Sequence, residues 1–310
     1  EFLRDWLGQR KVVQDKVAGY AHALIFWGFL LLVSDVVDLG TGGLLQELLS
    51  NIQLDGIWNL IVDLGYAMAT IGILIALYRR IIIRPAKLKG ASIEGPLILL
   101  AILGIVLTAF IVEAGNMIGK ETNYNQWEPI GVLFAKQMNG MDHDTIASMV
   151  DISYWLHMVL IGGFLIEIPQ TKHSHIIGTI PNVMFQDHDP MGTMIPLQTN
   201  ENNEAVKTDD LDFDNLTLGV NKFADFTWRQ LSDGWACTAC ARCQDVCPAY
   251  NSGKTLNPMQ IVLDVKDYGR EHGSLLLTGK EPEETIVDRF TPDAIWACTT
   301  CYACVEACPV

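Results

Sequence analysis

Four stretches in the first 177 residues are long and apolar enough to cross a bilayer, which excludes an ordinary soluble fold for that half of the chain. They cover about Val17 to Asp38, Ile57 to Ile83, Gly95 to Ile118 and Ile152 to Ile176. A spanning segment needs ~20 apolar residues folded as a helix, because lipid offers no partner to backbone N–H and C=O groups. Basic residues orient the spans. Arg4, Arg10, Lys11 and Lys16 precede the first; Arg79, Arg80, Arg84, Lys87 and Lys89 separate the second from the third; Lys172 ends the fourth. The opposite side has Lys120 and Lys136. Positive charge collects on the cytoplasmic side, so residue 1 and the chain after Ile177 are expected in the cytoplasm, beneath a prokaryotic cytoplasmic membrane. Segments 39–56 and 119–151 then face outward, each with a short amphipathic stretch suited to the membrane surface.

The net charge of −15 is at odds with a sequence that is 50% hydrophobic until the chain is divided near Ile177. Residues 178–310 hold nine Lys/Arg against twenty Asp/Glu. Such a surface repels nucleic acid and anionic lipid, and no nucleic-acid partner is expected. The expected domains are a membrane domain over 1–177, an acidic linker over 178–230 and a cysteine-bearing domain over 231–310. The chain opens on Glu1 and stops at Val310, two residues after its last cysteine. It is expected to continue beyond both ends.

All eight cysteines fall in two copies of one pattern, Cys237-x₂-Cys240-x₂-Cys243-x₃-Cys247-Pro and Cys298-x₂-Cys301-x₂-Cys304-x₃-Cys308-Pro. This is the run of two-cluster ferredoxins, in which three closely spaced thiolates wrap one [4Fe–4S] cluster and the fourth reaches the other. One cluster is therefore expected on Cys237, Cys240, Cys243 and Cys308, and a second on Cys298, Cys301, Cys304 and Cys247. Zinc sites pair two-cysteine knuckles rather than triplets, and disulfides do not suit a cytoplasmic domain. Between the motifs, Asn257 to Glu271 and the Thr291-Pro-Asp-Ala start both read as helical. The fold class is all-α: a transmembrane helix bundle followed by an α-helical two-cluster ferredoxin domain.

His143, His188 and His272 lie in polar segments and read as surface residues. His22, His157, His173 and His175 lie in or at the ends of spans, where ionisable groups are costly and usually functional. His157 and His175 are 18 residues apart, five helical turns on one face of an unbroken helix. His22, near the cytoplasmic end of the first span, is placed to meet His175, and two imidazoles from separate helices can clamp a haem b iron. His157 is expected about 8 Å inside the outer surface. Asp35, Asp63 and Glu113 fall at similar depth, so His157 and Glu113 are the candidates for a quinone and proton site.

The fourth span, with Pro169-Gln170-Thr171-Lys172 leading to His175, resembles the last helix of the nitrate reductase gamma-subunit family, a membrane dihaem cytochrome b. That resemblance implies His175 as ligand of the haem nearest the cytoplasm and His157 as ligand of a distal one. The family's other ligand helix carries two histidines ten apart; here His22 matches the first, and Leu32 stands at the second. TWRQLSDGWACTACARCQDVCPA and TPDAIWACTTCYACVEACPV carry a Trp-x-Cys lead-in and resemble the heterodisulfide reductase family. The fusion resembles electron-transfer-flavoprotein:menaquinone oxidoreductases. That family usually continues into paired Cys-Cys-Gly motifs, which this sequence lacks.

The resemblance implies a membrane-bound, quinone-linked oxidoreductase of a respiratory chain, or a subunit of one. Electrons would pass between a cytoplasmic redox partner such as an electron-transfer flavoprotein and a membrane quinone, menaquinone by the resemblance, through two [4Fe–4S] clusters and haem b. The alternative is a non-catalytic membrane anchor and electron wire for a separate catalytic subunit. A solute transporter would need inverted repeats, and the only repeat is the cysteine motif.

Overall fold

The computed structural model describes residues 2–41, 43–85, 93–119, 126–186, 189–190, 192–193 and 219–310. Lys87, Lys89, Lys120, His188, the Asp35 side chain and most of the acidic linker lie outside the described residues. The chain divides into two compact units, Gln9–Pro169 and Glu1–Gly8 with Gln170–Val310. This division falls eight residues before the boundary expected at 177. Among the described residues both units are helical and neither contains a strand.

The first unit is built on α1 (Lys16–Gly40), α3 (Asp55–Tyr78), α4 (Glu94–Gly119) and α6 (His143–Glu167), with α2 (Leu44–Asn51) and α5 (Pro129–Met138) between them. The four long helices, α3 extended by a π turn to Ile83, are its membrane spans. α1 and α3 pack closely because glycines remove the side chains where they meet. A Cβ on Gly28 would lie 2.7 Å from the Gly65 carbonyl oxygen, and one on Gly72 would lie 2.7 Å from that of Ala21. Small residues of this kind let spanning helices approach without any hydrophobic drive from lipid. At the centre, Ala69, Val106 and Phe110 are buried, with Phe110 stacked on Phe134 of α5 at 4.9 Å. α5, in the segment expected to face outward, buries its Gly131, Ala135 and Met138 against α4 and its neighbours.

The fourth span departs most from expectation. Asp142 caps α6, accepting from the Thr145 N–H at 2.9 Å, so the helix starts nine residues before the apolar run does. It ends at Glu167, before Pro169, whose missing N–H cannot continue the ladder. Thr171 is extended and caps a short 3₁₀ turn, Lys172–Ser174, from which α7 (His175–Met184) begins. His157 and His175 therefore do not share one helix, and the five-turn relation between them does not hold.

The second unit adds α8 (Trp228–Ala236), α9 (Arg242–Val246), α10 (Pro248–Asn251), α11 (Pro258–Leu276), α12 (Pro292–Trp296) and α13 (Ala303–Ala307) to α7. Their starts follow from the sequence: a Thr227/Gln230 capping box for α8, Asn257 with Pro258 for α11, and Thr291 with Pro292 for α12. The core of this unit is Val265, Tyr268 and Ile286, with Phe223 stacked on Tyr268.

Candidate iron–sulfur centre and membrane histidines

The two cysteine loops share one backbone. Ala239 and Ala241 in the first, and Thr300 and Tyr302 in the second, adopt positive φ at matching places, two and four residues after the leading cysteine. Left-handed geometry costs a non-glycine residue on the order of 1–3 kcal/mol. Such residues persist where the turn has work to do, and alternating turns of this kind point successive N–H groups inward to form an anion cradle. The Ala239 N–H faces Cys237 Sγ at 3.5 Å, and the Thr300 N–H faces Cys298 Sγ at 3.4 Å. Each loop then enters a five-residue helix, α9 or α13, and these two helices pack together.

That packing mixes the thiols of the two motifs. Burial pushes the Cys243 thiol up to about 12, and Cys240, Cys308 and Cys237 add to the rise. Cys308 is pushed up to about 11, again chiefly by burial, with Cys240 and Cys237 among the charges around it. Cys304 is raised by burial and then by Cys247 and Cys298. All eight thiols are free of disulfides. Among the described residues no three His, Cys, Asp or Glu side chains close around a single metal ion. Thiolate donors, inward N–H groups and the neighbour sets together fit a pair of [4Fe–4S] clusters. The surroundings differ: Cys298 and Cys301 are exposed beside Trp296, which is 87% exposed, whereas Cys247 is buried.

Three histidines present the same nitrogen to the protein. His22 Nδ1 lies 3.0 Å from the Gln9 side-chain oxygen, His157 Nδ1 lies 3.0 Å from the Ile105 carbonyl, and His175 Nδ1 lies 2.6 Å from that of Lys172. An amide oxygen only accepts, so in each ring Nδ1 carries the proton and the lone pair is on Nε2. A neutral histidine ligates a metal through either ring nitrogen, and with Nδ1 so engaged the ligating one would be Nε2. His22 belongs to the first unit and His175 to the second. His173 is buried, 6.0 Å from His175 between ring centroids.

Of the groups expected at one depth, Asp63 and Glu113 come together and His157 lies apart. Asp63, 2% exposed, accepts the Ile130 and Gly131 N–H groups at 2.8 and 3.0 Å. A Cβ on Gly131 would lie 2.7 Å from Glu113 Oε1, so both carboxyls gather at the start of α5. His157 instead sits beside Thr108, at 2.9 Å, five residues before Glu113 on α4. It lies fourteen residues into α6 and five past Ile152, where the apolar run begins.

Two further groups escaped the sequence reading. Lys266 Nζ reaches Ser174 Oγ at 3.3 Å, and that hydroxyl donates to the Trp235 carbonyl at 3.0 Å. Gln9 and Thr108 hold histidines and carried no signal beyond being polar.

The fold and the loops define a class: a helical membrane protein carrying a ferredoxin-type domain at its C-terminal end. Residues 229–309 match the 4Fe-4S dicluster domain family. The chain is 29% identical over 342 residues to "Probable iron-sulfur-binding oxidoreductase FadF" of Bacillus subtilis, covering 98% of this chain and 46% of that protein. It is 28% identical over 339 residues to "EtfAB:quinone oxidoreductase" of Syntrophomonas wolfei, covering 97% and 45%. Over 123 residues it is 39% identical to "Probable membrane-anchored ferredoxin" of Chromohalobacter salexigens, covering 34% and 18%. The chain thus spans about half the length of the two relatives that match it end to end. No solved structure matches it.

Proposed function

We propose that this chain is the membrane-embedded, cluster-bearing part of a quinone-linked oxidoreductase. It exchanges electrons between a cytoplasmic redox protein, of which an electron-transfer flavoprotein is the leading candidate, and a membrane quinone of the menaquinone class. The observation that carries this reading is the pair of matching cysteine loops in a chain with four spans. The name of the Syntrophomonas relative supports the two partners. A bound [4Fe–4S] cluster accepts and releases one electron at a time. Cys237, Cys240, Cys243 and Cys308 would hold one such cluster, and Cys298, Cys301, Cys304 and Cys247 the other. The exposure of Cys298 and Cys301 suits exchange with a soluble protein. His22 and His175 are assigned as ligands of a haem b from sequence, and the Nε2 lone pair on each ring agrees with that role. Glu113 and His157 remain the proton-carrying candidates for the quinone; Asp63 is already engaged by two backbone N–H groups.

One experiment separates the parts. A menaquinol analogue added to the oxidised, purified protein should develop a reduced b-type absorption band. His22→Ala and His175→Ala should abolish that band, and His173→Ala should keep it. A protein with no b-type band refutes the haem; a band that dithionite reduces and the quinol does not refutes the quinone.

A further inference from the structure

Lys266 is 5% exposed, on α11, in a place where a lysine is costly. A buried ammonium costs several kcal/mol unless hydrogen bonds and negative charge compensate it. One hydrogen bond goes to Ser174, whose own hydroxyl is fixed on the Trp235 carbonyl two residues before Cys237. α8 is tight against both neighbours here. A Cβ on Gly234 would lie 3.0 Å from that of Lys266, and one on Gly178 of α7 would lie 3.0 Å from the Trp235 backbone. Backbone, hydroxyl and ammonium form one seam leading into the first cysteine loop.

We propose that Lys266, positioned by Ser174, is a tuning residue that raises the reduction potential of the cluster held by Cys237. The inference rests on the two-cluster reading above. Four thiolates make each cluster anionic, and an incoming electron adds to that charge. Burial therefore disfavours reduction, while a fixed cation nearby favours it. The Lys266 ammonium is one hydroxyl away from the Trp235 carbonyl, two residues before Cys237. Asp233 on α8 carries the opposite charge, but its carboxylate is engaged by Asn182 at 2.9 Å and Arg229 at 4.0 Å. Both ligand sets are mixed in exposure: Cys240 of this one and Cys298 and Cys301 of the other are exposed, and Cys247 of the other is buried.

The test is a redox titration of the purified, cluster-loaded full chain, followed by electron paramagnetic resonance. Lys266→Met should lower the midpoint of one cluster, shifting an electron's partition between the two about tenfold toward the other. Iron content should be unchanged, and Lys266→Arg should restore the midpoint. The shifted signal should be the one perturbed by Cys240→Ser and not by Cys301→Ser. Equal midpoints in wild type and Lys266→Met, an equal shift of both clusters, or a shift of the Cys301 cluster alone would each overturn the proposal. Where Lys266→Met loses iron, Lys266→Gln and Ser174→Ala are read by the same criteria. A wild-type chain with about four cluster irons rather than about eight would instead refute the two-cluster reading.

Discussion

Asp63 shows how an ionisable residue inside a span can be structural. On sequence it is one of four groups available for proton transfer, because charge in a span is expensive and usually functional. In the fold its two oxygens satisfy the first free N–H groups of α5, where the helix dipole also favours negative charge. Asp63→Asn keeps one acceptor and turns an amide donor against the other N–H. It should destabilise the protein by about 1–3 kcal/mol in detergent, read as a lower midpoint in denaturant or heat. Electron transfer in the surviving folded protein should be unaffected; a stable variant with lost quinol oxidation would return Asp63 to the proton path. The cysteines were fully legible at this scale, because their spacing is itself the chemistry. Lys266 was not. It reads as one more charge on an amphipathic helix, and only the approach of Gly234 and Ser174 reveals that it is buried.

At the scale of elements, hydropathy locates all four spans and errs at their ends. An apolar run reports what lipid tolerates, whereas a helix begins at its cap, so α6 starts at Asp142 although its first turns are polar. Its other end differs because Pro169 acts as a stop rather than as part of a continuous helical motif. The α11 and α12 starts were readable because Asn257-Pro258 and Thr291-Pro292 state both cap and first turn. The α1–α3 crossing was invisible to periodicity, since glycine marks it by absence. Gly28→Leu places side-chain atoms where the Gly65 carbonyl and Ala69 already lie. It should cost about 1–3 kcal/mol through overpacking, measured as thermal unfolding in detergent. Gly162→Leu on α6 is the control, because nothing lies within 4 Å of its Cβ position. Equal loss in both would assign the effect to the spanning segments generally rather than to this crossing.

For the whole molecule, the division at Pro169 separates parts stabilised by different physics. The first unit is held by apolar helix packing. The second has a modest core at Val265, Tyr268 and Ile286, while its cysteine loops end in five-residue helices too short to stand alone in water. Four residues in left-handed strain add to that burden. Cluster binding would offset these costs, so the loops and the clusters should be lost together. Oxidative removal of iron, followed by limited proteolysis, should expose cleavage sites within 237–247 and 298–308. The spans between Lys16 and Glu167 should stay intact and helical by circular dichroism. Because the Val265 core sits beside Trp235, α11 should loosen next, seen as faster amide exchange over Pro258–Leu276. If iron-free protein protects both cysteine loops as well as the loaded form does, the strain is carried by the helices themselves, and coupling between cluster and fold is absent.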